Sequence, residues 1–570
     1  MLNKYAHKLM SLNKIMSQLP KKQKYLLAFL LGIFSTLAMP PISFWPILFI
    51  TFPILIWLVD GTVFAENKAL GESKIKFNKS QLKQIAIIGW VFGFGYFLVS
   101  LYWLGSSFLV EPEKFGWVLP FAVTMLPAFL GLFYSIPLMV SSLFWTTGPE
   151  RLIIFSLSIF CADWLRSHIL TGFPWNLIGH SLTGQLEFMQ SISVFGLFGL
   201  SAIAALIFST PALFASPLDD AKKTAEIQTH FSISKILPLA FSALVLIGMY
   251  GFGVLRIESE GPTKFLKEYE LVLVQPNISQ KDKVDLKKRP AALLKTIELT
   301  ETLPELDKNK FEQRLIIWPE TAIPFALNRS PTILKRLDEM LAERSTLISG
   351  AFHVENNQDL NSTSNYQVYN SLFVVNDRGE IESLYDKNHL VPFGEYLPFP
   401  QLFKWLGLKA IADERGGFKI GPEPKPVQLK KAPSFLPSIC YEAIFPLPEN
   451  TAQQGAKWLL NISNDGWFGQ TVGPHQHLHQ VRLRALETGL PMVRSVNGGM
   501  SAIFDGIGRV VKKTSLNKTE IVISKLPKTS KIINLPLPKE LLSFLVLLTF
   551  GVLISTEKIL TNRSKFTSKH

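Results

Sequence analysis

The chain is poor in cysteine: Cys161 and Cys440 are the only two in 570 residues. Two thiols this far apart make no disulfide framework, and Cys161 lies inside an apolar run. Charged residues are also scarce, at 18%, where soluble domains carry about a quarter. There is no Walker A sequence and no visible internal repeat. Gly93-Phe94-Gly95 is followed by no lysine and preceded by no strand-like run, which excludes a phosphate loop and leaves helix packing. The net charge of +14 is spread over short loops and the two tails rather than gathered on one segment. That distribution argues against nucleic acid as a partner.

What the chain has is apolar length. Hydrophobic residues make up 48%, with 43 Phe. Segments long enough to cross about 30 Å of hydrocarbon lie near 24–41, 43–59, 84–106, 117–145, 151–168, 190–215, 234–254 and 540–557. The first two are separated only by Met39-Pro40-Pro41 and read as a helical hairpin, which favours an anchor over a cleaved signal peptide. The organisation expected is a membrane domain over 1–254, a second domain over 255–535, and a final span with its tail over 536–570. Lysines crowd the N-terminal tail, the 60–83 loop, the 216–233 loop and the C-terminal tail, which all fall on one side if eight segments cross. The positive-inside rule makes that side cytoplasmic and puts 255–539 outside the cytoplasm. The segment 151–168 carries Asp163 and Arg166, three apart and able to pair, and is the weakest span. Trp175, in Thr171-Gly172-Phe173-Pro174-Trp175, is a candidate for lipid contact or interface anchoring.

From about residue 270 the texture changes to short β-rich runs alternating with polar helical stretches. Strands are expected at 271–275, 314–320, 345–352, 369–377, 433–442, 457–465, 492–497 and 501–504, with helices near 284–300, 331–343 and 475–488. Open α/β sheets place chemistry at the carboxyl ends of strands. Glu320 closes one run, Cys440 another, and Lys387 follows a third. A carboxylate leaving a buried strand can act as a base. A lysine can stabilise an oxyanion, and a thiol is the best of the common nucleophiles. Taken singly, each of the three has an ordinary structural reading. Together they can run acyl transfer through a thioester, for which no metal or other cofactor is needed. His475, His477 and His479 alternate in a run that reads helical, a poor arrangement for a metal. The loop 397–431 offers Phe399, Phe403 and Trp405 between Gly and Pro residues as candidates for lipid contact.

These blocks also carry a family resemblance. Trp318-Pro319-Glu320, Lys387-Asn388-His389-Leu390-Val391-Pro392-Phe393-Gly394-Glu395-Tyr396 and Cys440-Tyr441-Glu442 resemble the Glu-Lys-Cys blocks of the nitrilase superfamily. Asn461–Phe468, Gly473–His477 and Arg482–Glu487 resemble its membrane-embedded branch, the bacterial apolipoprotein N-acyltransferases. The resemblance implies a multi-pass α-helical membrane domain plus an extracytoplasmic α/β nitrilase-like αββα sandwich, in the bacterial inner membrane. It implies Glu320 as base, Lys387 at the oxyanion and Cys440 as nucleophile, with Glu395, Tyr441 and Glu442 in support. The implied donor is a phospholipid, phosphatidylethanolamine by resemblance, and the acceptor a diacylglyceryl-modified apolipoprotein. Ser279–Asp285 departs from the pattern, holding Val284 where some members have Trp. Two other readings remain open on the residues: a membrane-anchored amidase in which water resolves the thioester, and a transporter or scaffold without catalysis.

The lysine asymmetry makes a topology prediction. Reporter fusions after residues 80 and 225 should report cytoplasm, and a fusion near 300 the opposite side. A cytoplasmic signal at 300 overturns the export reading.

Overall fold

The computed structural model describes residues 15–16, 18–70, 78–215, 233–357, 365–399, 401, 417–448, 450–533 and 537–567. The chain divides into two compact units. One comprises Met1–Gly105, Trp117–Ser259 and Asn534–His570; the other comprises Ser106–Gly116 and Glu260–Ile533.

The first unit is helical. Its long helices are Lys21–Ser35, Leu48–Leu70, Lys79–Ser100, Leu119–Ser142, Glu150–His168, Ile192–Ser209, Ile233–Glu260 and Lys539–Thr567. Among the described residues, six segments are long and apolar enough to cross a membrane: Trp45–Phe64, Lys79–Ser100, Pro112–Ser142, Ile192–Phe214, Ile236–Glu260 and Lys539–Thr556. Eight were expected. Lys21–Ser35 has 15 residues, short of the roughly 20 a span needs, because the chain turns into a 3-10 turn at Thr36–Ala38. Glu150–His168 holds Glu150, Arg151, Asp163 and Arg166.

Its charges are paired inside the unit. Arg166 Nη2 meets Asp163 Oδ1 at 3.2 Å, with both side chains fully buried. Asp163 also accepts from Ser201 Oγ at 2.7 Å and from the Ile178 N–H at 2.8 Å. Arg151 lies 3.4 Å from Asp60, again buried. Asp163 and Arg166 are therefore a structural pair. Trp175 is corrected as a lipid-contact candidate: only 2% exposed, it packs against Trp103 at 4.7 Å, and Arg166 donates to its carbonyl at 2.7 Å.

Small residues let these helices approach closely, as the Gly93-Phe94-Gly95 reading expected. A Cβ on Gly95 would stand 2.3 Å from the Phe29 carbonyl oxygen, and one on Gly93 would stand 2.8 Å from Gly131 Cα.

The second unit is built on two sheets. Its strands are β1 (Phe265–Gln275), β2 (Gln313–Ile317), β3 (Ile323–Ala326), β4 (Ser345–Asn356), β5 (Tyr366–Val375), β6 (Ile381–Asp386), β7 (Phe435–Ile439), β8 (Trp458–Asn464), β9 (Met492–Asn497), β10 (Ala502–Phe504), β11 (Val510–Lys513) and β12 (Glu520–Pro527). One sheet runs β12-β1-β2-β4-β5-β6, with β3 on β4; the other runs β11-β10-β9-β8-β7. The parallel centres are β1-β2-β4 and β7-β8-β9.

Side-chain alternation along the strands assembles the layers. Leu271 and Leu273 of β1 face the interlayer core with Ile317, Ile439, Leu460 and Val493. Val272 and Val274 face outward onto Leu293, Ile297 and Leu337 of the helices Arg289–Glu301 and Pro331–Met340. On the far side, helix Gly473–Thr488 covers the second sheet through Val481 and Ala485. The order is helix, sheet, sheet, helix. The expected helix at 284–300 is two pieces, Gln280–Val284 and Arg289–Glu301, the second beginning where Pro290 suits a first helical turn.

Close helix packing in the first unit is testable. Gly95→Ala forces a methyl into the Phe29 backbone and should cost about 1–3 kcal/mol. It should lower the detergent-solution Tm by several degrees. Gly248→Ala, whose Cβ would meet nothing within 4 Å, should leave Tm unchanged.

Candidate active site

β2 delivers Glu320. Beyond its last residue the chain continues through Trp318, fully buried, whose indole N–H donates to Thr300 Oγ1 at 3.0 Å. Pro319 then turns the backbone and Glu320 emerges 6% exposed. Its backbone lies against β4 where only a glycine fits: a Cβ on Gly350 would be 2.6 Å from Glu320 Cα. Glu320 Oε1 accepts from Asn370 Nδ2 at 2.7 Å.

Lys387 follows β6. The residue before it, Asp386, is held by the Ser371 hydroxyl and by His353 Nδ1 at 3.0 Å. Lys387 is 1% exposed. Its ammonium lies 2.8 Å from Glu395 Oε2 and 3.8 Å from Glu320 Oε1. Asn370 bridges the two carboxylates, donating also to Glu395 Oε1 at 2.8 Å. Burial alone would lower the Lys387 pKa, but Glu395 and Glu320 outweigh it and raise it above the ordinary lysine value. The two carboxylates thus favour the charged form of Lys387.

Cys440 follows β7, partly exposed, with φ of 53°. That left-handed conformation is uncommon for a residue with a side chain, and where it occurs it clusters at functional sites. Burial, then the Glu320 carboxylate, push the thiol up to about 12, against the pull of Lys387. At that value the protonated thiol is the favoured form at neutral pH. Burial, opposed chiefly by Lys387, raises the Glu320 pKa above the usual carboxylate value. A carboxylate so shifted accepts a proton more readily than an exposed one.

Glu442 ties the two sheets' contributions together. Its Oε1 accepts from the Tyr385 hydroxyl at 2.7 Å and from the Asn388 and His389 N–H groups at 2.8 and 2.9 Å. Its Oε2 accepts from the Ile439 N–H at 2.7 Å. One carboxylate thus fixes both the loop carrying Lys387 and the turn carrying Cys440. Tyr441 packs beside His389 and Phe445. Glu395 Oε2 also accepts from the Val391 N–H at 2.8 Å, which shapes its own loop.

Glu320, Lys387, Glu395, Cys440, Tyr441 and Glu442 are thus gathered at one end of the sandwich. Phe399 is 62% exposed; Phe403 and Trp405 lie outside the described residues. Two neighbours of the site escaped the sequence reading. Asn370 is a buried amide in the apolar strand β5, and its polarity inside that run was the available signal. Lys283 sits in Ser279–Asp285 and donates to the Glu320 carbonyl at 2.9 Å. Burial lowers its pKa to about 8, against Glu320 and Cys440. No group of three or more His, Cys, Asp or Glu able to hold a metal occurs among the described residues. The helix Gly473–Thr488 turns residues two apart by about 200°, so His475, His477 and His479 do not converge.

Comparison with known proteins agrees with this architecture. Residues 31–209 match the family model of the apolipoprotein N-acyltransferase N-terminal domain, and residues 273–530 match that of carbon-nitrogen hydrolase. The chain is 39% identical over 509 residues to an apolipoprotein N-acyltransferase of Brucella melitensis, covering 89% of this chain and 90% of the relative. It is 37% identical over 507 residues to the apolipoprotein N-acyltransferase of Rhodopseudomonas palustris, covering 89% and 90%. Among solved structures, an amidase from Nesterenkonia sp. is similar with a TM-score of 0.32 and 14% identity, covering 47% of this chain and 94% of that one. With both halves matched and the relatives aligned nearly end to end, the chain belongs to the apolipoprotein N-acyltransferase family, membrane enzymes with a carbon-nitrogen hydrolase domain.

Proposed function

We propose that the chain moves an acyl chain from a membrane phospholipid, through a thioester on Cys440, to the α-amine of the N-terminal diacylglyceryl-cysteine of a lipoprotein. The observation that carries this is the convergence of a buried carboxylate, a lysine whose charged form is favoured and a strained cysteine at strand ends. The donor ester is the sn-1 ester of phosphatidylethanolamine.

In the first half-reaction Glu320 accepts the thiol proton as Sγ bonds to the ester carbonyl carbon. The tetrahedral oxyanion faces the Lys387 ammonium and the Tyr441 N–H. The carbon–oxygen bond to the glycerol breaks, and Glu320 returns the proton to the departing lysophospholipid alkoxide. In the second, Glu320 takes a proton from the acceptor amine as its nitrogen attacks the thioester. The carbon–sulfur bond breaks, an amide forms, and the thiolate recovers its proton. Glu395 keeps the Lys387 charge in place, and Glu442 keeps Lys387 and Cys440 in register.

Both substrates are lipid-anchored, so the catalytic unit works at the outer face of the bacterial inner membrane. The pairing of Asp163 with Arg166 and of Arg151 with Asp60 supports a crossing by Glu150–His168, because charges satisfied inside the protein are withheld from lipid.

Mass spectrometry of the enzyme incubated with phospholipid should find an acyl adduct on Cys440. Cys440→Ala should abolish it and Cys161→Ala should leave it. An adduct that persists in Cys440→Ala rejects the nucleophile. Release of amide product on adding a diacylglyceryl-cysteine peptide, rather than free fatty acid, separates transfer from hydrolysis.

Glu320 must be ionised to take the thiol proton. Acyl-enzyme formation should therefore climb as pH rises through a midpoint above the ordinary glutamate value of about 4.3. Glu320→Gln should slow lysophospholipid release by about 10²–10⁴-fold and erase that pH dependence. A midpoint at or below the ordinary value, or an unchanged profile in Glu320→Gln, rejects this residue as the base.

A further inference from the structure

His477 lies on helix Gly473–Thr488 with its side chain 1% exposed. Its Nε2 is 3.3 Å from the Cys440 carbonyl oxygen. A carbonyl can only accept, so this contact selects the ring form with its proton on Nε2. Burial, then the Arg494 charge, lower the His477 pKa and favour the neutral ring, whose Nδ1 accepts from Arg494 Nη2 at 3.1 Å. Its Nδ1 is 2.9 Å from Asp465 Oδ1. Asp465 is clamped in turn: Arg494 Nη2 donates to its two oxygens at 2.8 and 2.6 Å. Arg494 also donates to Asn461 Oδ1, and Asn461 Nδ2 reaches the same Cys440 carbonyl at 3.4 Å. Burial would raise the Asp465 carboxyl, but Arg494 and His477 hold it well below the usual carboxylate range. All four side chains are fully or almost fully buried, so the network is rigid.

Peptide geometry gives this arrangement a consequence. The Cys440–Tyr441 peptide is planar and trans, so its C=O and N–H point in opposite directions. Holding the carbonyl toward His477 fixes the Tyr441 N–H on the other side. Cys440 has φ of 53°, a conformation that persists only where the surroundings impose it.

We infer that His477, backed by Asp465 and Arg494, is a positioning residue that locks the Cys440–Tyr441 peptide and so aims the Tyr441 N–H at the oxyanion of both tetrahedral intermediates. The inference rests on Cys440 being the nucleophile.

Two variants of the full-length enzyme in detergent micelles test it. In His477→Gln the amide nitrogen stands near the place of Nε2 and can still hold the carbonyl. In His477→Asn the amide reaches only the place of Nδ1, keeping Asp465 company and releasing Cys440. Two reactions of the same thiol are compared: acylation by phospholipid, which passes through an oxyanion, and alkylation by iodoacetamide, which does not. His477→Asn should slow acylation about 100-fold while alkylation stays within about threefold, and His477→Gln should recover acylation to within about tenfold of the parent. Parallel loss of acylation and alkylation in His477→Asn would mean a general structural or thiol-acidity role and overturn the inference. So would full acylation in His477→Asn, or no recovery in His477→Gln. Should His477→Asn fail to melt cooperatively, His477→Gln decides alone: acylation kept supports the inference, and acylation lost with alkylation kept overturns it. Cys440→Ala run alongside keeps the premise separate, because an acyl adduct there rejects the nucleophile whatever the His477 variants do.

Discussion

A lysine ammonium cannot be left unpaired inside a protein, and the catalytic unit is arranged around satisfying one. Lys387 is 1% exposed and lies between Glu395 and Glu320. Removing one partner of such a buried pair typically costs about 3–5 kcal/mol, so the loop that brings Glu395 back to Lys387 is as constrained as any strand. The same pairing sets the chemistry. Two carboxylates beside one cation favour the charged form of Lys387, and burial raises the pKa of both Glu320 and the Cys440 thiol. Asn370, donating to both carboxylates, holds them side by side at the lysine.

The components come from different sheets. Glu320 and Lys387 leave β2 and β6, while Cys440 leaves β7. Glu442 is the bridge: its oxygens accept from the Lys387 side of the site and from the strand that ends at Cys440. A carboxylate serving four donors is well satisfied without solvent.

Much of this was legible in the chain. Strands that end in chemistry announced themselves because an apolar run stops abruptly at Glu320 or Cys440. Four strands were not anticipated. β3 has only four residues, β11 reads Val-Val-Lys-Lys at the surface, and β6 and β12 mix charge with apolar residues because they lie at a sheet edge. The pairing of β12 with β1, some 250 residues apart, is tertiary and leaves no local trace. In the helical unit, hydropathy could not separate a span from a short or charged helix: the Asp163–Arg166 pair was legible from its spacing, but Ser201, which also donates to Asp163, and Asp60, which pairs with Arg151, lie far along the chain. Trp175 showed the opposite error: an aromatic near a membrane boundary reads as lipid-facing, yet here it fills the interior. His477 and Asp465 stood in blocks that carry the family resemblance, but the contacts of Lys283 and His477 with backbone carbonyls were not legible, because no side-chain motif encodes them.

The interlayer core has a role beyond cohesion. Ile317, which precedes the Trp318-Pro319 turn to Glu320, and Ile439, which precedes Cys440, both face that core from opposite sheets, together with Leu460 and Val493. The thickness of this apolar filling therefore sets how far apart the ends of β2 and β7, and with them Glu320 and Cys440, are held. Because packed interiors transmit strain, a methylene gained or lost there, far from either side chain, would be felt as a shift between those two ends.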